Sequence, residues 1–175
     1  MRLVHAVLLV LLLGCQTTGA GAEETEDATD PWAGCWARKY DAAHLAKHPG
    51  QLVTAMTVAI DPRTPAGETD PGAYAARVAA TLRGKAESYT TLDPARCGPV
   101  GASGETLRCF LDGFFLGQFS LERAGKNIKL VMQGVGDGVV LVPGVDLSAF
   151  IRLSPQNPEH AVFLLNPMPP SACGD

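Results

Sequence analysis

Over most of the chain from Leu52 onward, apolar side chains recur at every second residue, and glycine, proline or Asp-Gly pairs interrupt them every few residues. A period of two is the signature of strands with one buried face, and the interruptions are turn chemistry. In "QLVTAMTVAI", Leu52, Met56, Val58 and Ile60 fall on one face with Thr54. In "AYAARVAATLRG", Tyr74, Ala76, Val78, Ala80 and Leu82 alternate with Arg77, Thr81 and Arg83, although the alanines leave a helix open as an alternative. "ETLRCFLDGFFLGQFSL" has Asp112-Gly113 between two apolar runs, a strong hairpin signal because both central positions want positive φ. "ERAGKN" turns into "IKLVMQ", where Ile128, Leu130 and Met132 share a face. "GVGDG" turns into "VVLVPG", and "AFIRLS" and "HAVFLL" complete the series. The expectation is an all-β fold, a small antiparallel barrel or sandwich of seven to eight strands.

Ahead of these strands lies "WAGCWARKYDAAHLAKHPG". Trp36, Arg38 and Tyr40 fit one face of a first strand, and Asp41 fits the cap of a short helical turn over residues 42–47 that Pro49 ends.

The N-terminus is of a different character. One base, Arg2, precedes a run of about ten nearly unbroken apolar residues, Val4 to Leu13. That is half the length needed to span a bilayer and fits the core of an export signal. Gln16 to Asp30 is small, polar and acidic, without apolar periodicity, as a flexible tether would be. The first 30 residues hold one base and five acids. Of the chain's 14 basic and 18 acidic residues, 13 of each remain from Pro31 onward. A neutral body argues against nucleic acid as a partner and against a polybasic membrane patch.

Two exits from the signal compete. Ala20-Gly21-Ala22 before Glu23 suits ordinary signal cleavage and a soluble periplasmic or secreted protein. Leu12-Leu13-Gly14-Cys15 resembles the lipobox of bacterial lipoproteins. The resemblance implies cleavage after Gly14 and acylation of Cys15. The protein would then be held through lipid at the outer membrane or a periplasm-facing membrane. On this reading residues 1–14 are the signal peptide, 15–32 the lipidated cysteine and tether, and 33–175 a single β domain. Lipidation at Cys15 also leaves an even number of cysteines.

Those four are Cys35, Cys97, Cys109 and Cys173, and in an exported chain they are expected in disulfides. Of three connectivities, Cys97–Cys109 and Cys35–Cys173 are favoured. The first closes the glycine-rich "GPVGASGETLR", worth about 3 kcal/mol in the chain-entropy model. The second clamps the proline-rich tail "NPMPPSAC" to the domain's first segment. No C-x-x-C spacing supports a zinc site.

Gly34-x-Trp36 at the start of a small exported β domain resembles the first-strand motif of lipocalin-type barrels. The stretch "CWARKYDAAHLAKHPGQLVTAM" is similar to a group of uncharacterised exported proteins of alphaproteobacteria, a similarity that carries no function with it.

Little here suggests catalysis. His44 and His48 are four apart and would share a helical face, but two ligands without a third make a poor metal site. "GASGE" around Ser103 lacks the strand and helix of a nucleophile elbow, and "GVGDG" lacks the helix that a dinucleotide's pyrophosphate requires. The candidate binding residues are Trp36 and the hairpin aromatics Phe114, Phe115 and Phe119. The expectation is a non-enzymatic envelope protein without a cofactor that binds an apolar small molecule or a partner protein. An inhibitor of an envelope-directed hydrolase such as lysozyme is the rival, with "CGPVGASGETLRC" as its exposed loop.

Overall fold

The computed structural model describes residues 30–62, 74–111, 117–133 and 138–174. Eleven strands follow in order: β1 (Gly34–Lys39), β2 (Val53–Pro62), β3 (Tyr74–Leu82), β4 (Ser88–Thr90), β5 (Ala95–Pro99), β6 (Thr106–Leu111), β7 (Gly117–Ala124), β8 (Asn127–Gln133), β9 (Val139–Pro143), β10 (Ile151–Leu153) and β11 (Val162–Met168). Two short helices, α1 (Ala42–Lys47) and α2 (Pro158–Ala161), join them.

Eight strands close into an antiparallel barrel in the order β1-β2-β3-β5-β6-β7-β8-β11, with β11 returning to β1. Ring neighbours follow one another along the chain, as in an up-and-down barrel, and closure removes the free edges of an open sheet. The remaining three strands form a flap. β3 carries two neighbours on one edge: its first residues, Tyr74–Ala76, pair with β5, and Ala79–Thr81 pair with β4. β9 adds to β4, and β10 to β9.

The alternation seen in the sequence becomes inside and outside. Directly paired residues share a face, so Trp36, Val58 and Val78 form one inward row. Met56 with Ala80, and Ile60 with Ala76, form its neighbours. From the other side Leu107, Cys109, Phe119, Leu121, Ile128, Leu130, Phe163 and Leu165 complete one contiguous core. β3 is a strand, as its alternation with Arg77 and Thr81 suggested.

The expectation that Leu52 and Thr54 join the inner face of β2 is corrected. The register between β2 and β3 shifts between Val53 and Ala55, which puts two residues of one strand against one of the other. Val53 is therefore fully buried, and Leu52 is exposed. β9 shows no alternation because Val139, Val140, Leu141 and Val142 are all buried; this strand is covered on both faces. The flap lies close against the barrel. A side chain on Gly117 would run into the Gly138 carbonyl, so glycine is required where β7 starts beneath β9.

The expected local devices are present. The Asp41 carboxylate accepts from His44 N at 2.7 Å and caps α1, which stops at His48 before Pro49. Gly125, at φ +63°, turns β7 into β8. β6 and β7 pair from Thr106↔Glu122 to Leu111↔Gly117, while Asp112-Gly113 between them lies outside the described residues.

Both disulfides have the favoured connectivity. Cys97 and Cys109 are directly opposite on β5 and β6, with Cα atoms 4.1 Å apart, inside the barrel. Cys35, on the outer side of β1, holds Cys173, 138 residues away, and the single 3-10 turn Pro170–Ala172 packs on β1.

Candidate functional site

The side chains with chemical character collect at the two ends of the barrel. The lower end is where β1 begins. Here Asp30 Oδ1 accepts from Trp32 N at 2.8 Å, from Ala33 N at 3.3 Å and from the Tyr74 hydroxyl at 3.1 Å. Burial first, and then this carboxylate, raise the Tyr74 phenol above its ordinary value. Trp32 Nε1 donates to Gly104 O at 3.2 Å, and Trp36 Nε1 donates to Trp32 O at 3.4 Å. Arg123, from β7, lies 5.6 Å from the ring centroid of each tryptophan, and its Nη1 donates to Pro31 O at 2.6 Å. The segment before β1 is thereby bonded across the end of the barrel. The neighbouring loop, Val100–Glu105, is braced by the Cys97–Cys109 bridge, by Val100 N donating to Thr106 O at 2.8 Å and by Trp32.

The upper end is where β1 finishes. Tyr40, His44 and His48 form a stack with centroid separations of 4.7 and 4.3 Å. Arg38 lies 5.4 Å from the Tyr40 ring centroid. Burial raises the Tyr40 phenol, and the Arg38 charge partly offsets that rise. His44 Nε2 meets Gln51 Oε1 at 3.0 Å, and Gln51 Nε2 donates to Val53 O at 2.8 Å. His48 Nδ1 meets the Glu159 carboxylate at 3.0 Å, tying α1 to α2. Arg83 Nη2 donates to the carbonyls of Leu45 and His48 at 3.0 and 3.1 Å.

His160, on α2, is buried. Its Nε2 accepts from Leu52 N at 3.3 Å, and Asn157 Nδ2 lies 3.2 Å from its Nδ1. Asn157 Oδ1 accepts from Glu159 N. With Nε2 accepting, the neutral ring carries its one proton on Nδ1, and an imidazolium would add a second on Nε2, against the Leu52 N–H. Burial lowers the His160 value, against a smaller opposing pull from Glu159.

The residues singled out in the sequence are distributed as follows. His44 and His48 do share a face, but they stack on each other and do not pinch a common point. Among the described residues no group of three or more His, Cys, Asp or Glu is placed to hold a metal. Trp36 is buried at the lower end, and Phe119 is a core residue with no exposed surface. Phe114, Phe115 and Cys15 lie outside the described residues. Sequence reasoning missed Asp30, Trp32, Arg123, Gln51, Glu159 and His160. Only the tryptophan carried a signal, as a large apolar residue beside an otherwise polar tether.

Two grooves run along the outer wall formed by β1 and β2. One, of about 540 Å³, descends from Lys39, Tyr40 and His44 past Ala37 and Ala55 to Met168. The other, of about 520 Å³, lies around the Cys35–Cys173 bridge, with Asp61, Arg77 and Pro94 on its rim.

The fold is thus that of a small, closed, eight-stranded up-and-down barrel with a three-stranded flap. No protein-family model, no curated protein and no solved structure matches this chain.

Proposed function

We propose that this is an exported, lipid-anchored, non-enzymatic protein of the cell envelope that engages a partner protein, with the barrel as its scaffold. One observation carries the choice of a protein partner over an apolar ligand inside the barrel. Val58, Val78, Leu107, Leu121, Ile128, Leu130 and Leu165, drawn from six strands around the ring, have no accessible surface. A side chain with no accessible surface borders no void large enough for a water molecule, and an eight-stranded barrel is just narrow enough for side chains to fill. Export is supported by the two disulfides, which persist in oxidising compartments. Anchoring is supported by the lipobox-like Leu12-Leu13-Gly14-Cys15. Gly34 and Trp36 at the start of the first strand of an up-and-down barrel support the lipocalin-type likeness in architecture.

The test is the intact mass of the protein purified from its native host. The expected mass begins at Cys15, includes acyl chains and lacks the four thiol hydrogens of two bridges. A mass beginning at Glu23 overturns the anchor, and free thiols with an uncut N-terminus overturn export as well. Saturable binding of an apolar fluorescent dye in the barrel would overturn the choice of a protein partner.

A second reading has its own observation. The loop Val100–Glu105 is exposed yet held by a disulfide and by Trp32, as a rigid inhibitory loop should be. This reading assigns the protein to inhibition of an envelope-directed hydrolase such as lysozyme. Lysis of a bacterial suspension by lysozyme should then slow in proportion to added protein, and Val100→Asp should abolish the effect. Unchanged lysis at saturating protein removes lysozyme as the target.

A further inference from the structure

The two disulfides lie in opposite surroundings. Cys97 and Cys109 face into the barrel, where Cys97 is 3 % exposed and Cys109 0 %, among the side chains of the core. A reductant reaches that pair only when the barrel opens. Cys35 and Cys173 are on the outer wall, and both line the groove of about 520 Å³. Small residues surround them there: Gly34, Ala59, Ala75 and Gly174 line the same groove, and Ala59 is directly opposite Cys35 on β2. No long side chain stands at those four positions to cover the sulfurs. Arg77 and Asp61 supply one charge of each sign, so access and not charge sets this bridge apart.

The outer bridge also holds a different part of the chain. From Pro167 to Gly174 every residue is exposed except Cys173, which is half-buried. Beyond Met168, among the described residues, the tail hydrogen-bonds only to itself. Ala172 N donates to Pro169 O at 2.9 Å, and Cys173 N donates to Pro170 O at 3.0 Å. The barrel closes without the tail: β1 pairs with β11 from Cys35↔Met168 to Ala37↔Asn166, and with β2 over its whole length. The bridge therefore fixes the tail on β1, while backbone pairing fixes β1 in the barrel.

We propose that Cys35–Cys173 is an exchangeable bridge, opened by a dithiol, and that its reduction frees the tail after Met168 while the barrel and the inner bridge stay intact. This site does not depend on the anchor or the partner proposed above. One thiolate of the dithiol bonds to Cys173 Sγ, the more accessible sulfur. The Cys35–Cys173 bond breaks, and Cys35 leaves as a thiolate. The second thiolate of the reductant then displaces Cys173. The dithiol ends as a disulfide, and its two protons end on Cys35 and Cys173. Accessible bridges are the labile ones in this chemistry, and enclosed ones are the permanent ones.

The full chain, with both bridges formed, is treated under native conditions with dithiothreitol or with a protein dithiol of the C-x-x-C type. Samples are trapped by rapid alkylation with N-ethylmaleimide, and the labelled cysteines are located by peptide mass. Cys35 and Cys173 should label together, at least ten-fold faster than Cys97 and Cys109. In the protein with only the outer bridge reduced, hydrogen exchange should rise at Ala172 N and Cys173 N and stay unchanged in β1 and β11. Ala59→Leu, which puts a branched side chain beside Cys35, should slow labelling of the outer pair at least five-fold and leave the inner pair unchanged. Opening by both reagents supports the proposal with a protein as the reductant, and opening by dithiothreitol alone supports it with a small dithiol. Opening by neither overturns it. So does labelling of both pairs at one rate, or an Ala59→Leu variant that reacts as the parent does. Unchanged exchange at Ala172 and Cys173 after reduction overturns it equally, because the tail is then held without the bridge.

Discussion

Each end of the barrel carries an arginine over aromatic rings, and the two differ in what surrounds the charge. At the lower end, Arg123 has a tryptophan 5.6 Å from its guanidinium on each count, a carbonyl at 2.6 Å and a backbone N–H bonded to Glu105 O. At the upper end, Arg38 has one ring and, among the described residues, no acceptor. Desolvating a guanidinium is costly unless its donors are met. The lower arrangement therefore reads as structure, closing the barrel over its own entering chain. The upper one leaves a half-buried guanidinium on the inward face of β1 with a ring contact alone among the described residues. The difference teaches that cation–aromatic contact alone does not separate the two roles; the fate of the N–H donors does.

The largest effect should come from the lower end. Trp36→Ala removes a buried indole, the donor to Trp32 O and one face of the Arg123 contact. A loss of about 3–5 kcal/mol is expected from urea unfolding. Tyr40→Ala, at the half-buried upper stack, should cost less, about 1–2 kcal/mol. Equal losses would break the contrast between the ends. Arg123→Met should follow, at about 1–3 kcal/mol, from the lost charge-assisted bond to Pro31 O and the two ring contacts.

The unequal legibility of these features in the sequence has a physical basis. Inward rows such as Tyr74, Ala76, Val78, Ala80 and Leu82 were visible because one buried face imposes a period of two. Both disulfides were legible because a short glycine loop and a loose tail each left one sensible partner. The flap was not, because β9 is buried on both faces and has no alternation to read. The displaced face of Leu52 was hidden because a bulge is set by the partner strand. Arg123 falls in phase with inward Phe119 and Leu121, where alternation leads one to expect an apolar residue; its role arises only when pairing brings it beside a chain segment 92 residues away. Arg38 was placed on the face of Trp36 and Tyr40, yet its lack of an acceptor is a property of three dimensions.

The upper end should also respond to pH. His160 titrates below its ordinary value of 6.5 because burial opposes the charge, and a second ring proton would meet the Leu52 N–H. The unfolded chain then binds the proton more readily than the folded one. The sign follows: this contribution to stability is present above the unfolded value and is lost as pH falls through it toward the lowered folded value. Glu159 pulls the other way and is itself paired with His48, so the net loss should be modest. The urea midpoint should fall between pH 7 and pH 5, and hydrogen exchange at Leu52 N should accelerate over the same range. His160→Gln should flatten the fall. An unchanged slope in that variant would move the origin of the effect to another titrating group.

Arg38→Met gives the smallest expected change and the sharpest form of the comparison. The substitution removes a charge that, among the described residues, meets no acceptor, and it keeps an unbranched stem of similar length. Stability should therefore shift by less than about 0.5 kcal/mol, the range of surface substitutions that break no bond. The same substitution at Arg123 should cost several times more under identical conditions, although both residues sit over aromatic rings. Only the ring contact to Tyr40 is lost at the upper end, and methionine retains part of it through sulfur–aromatic contact. If Arg38→Met instead destabilises as much as Arg123→Met, its donors are satisfied within the folded chain. The upper end would then be a second structural clamp, and the contrast between the two arginines would disappear.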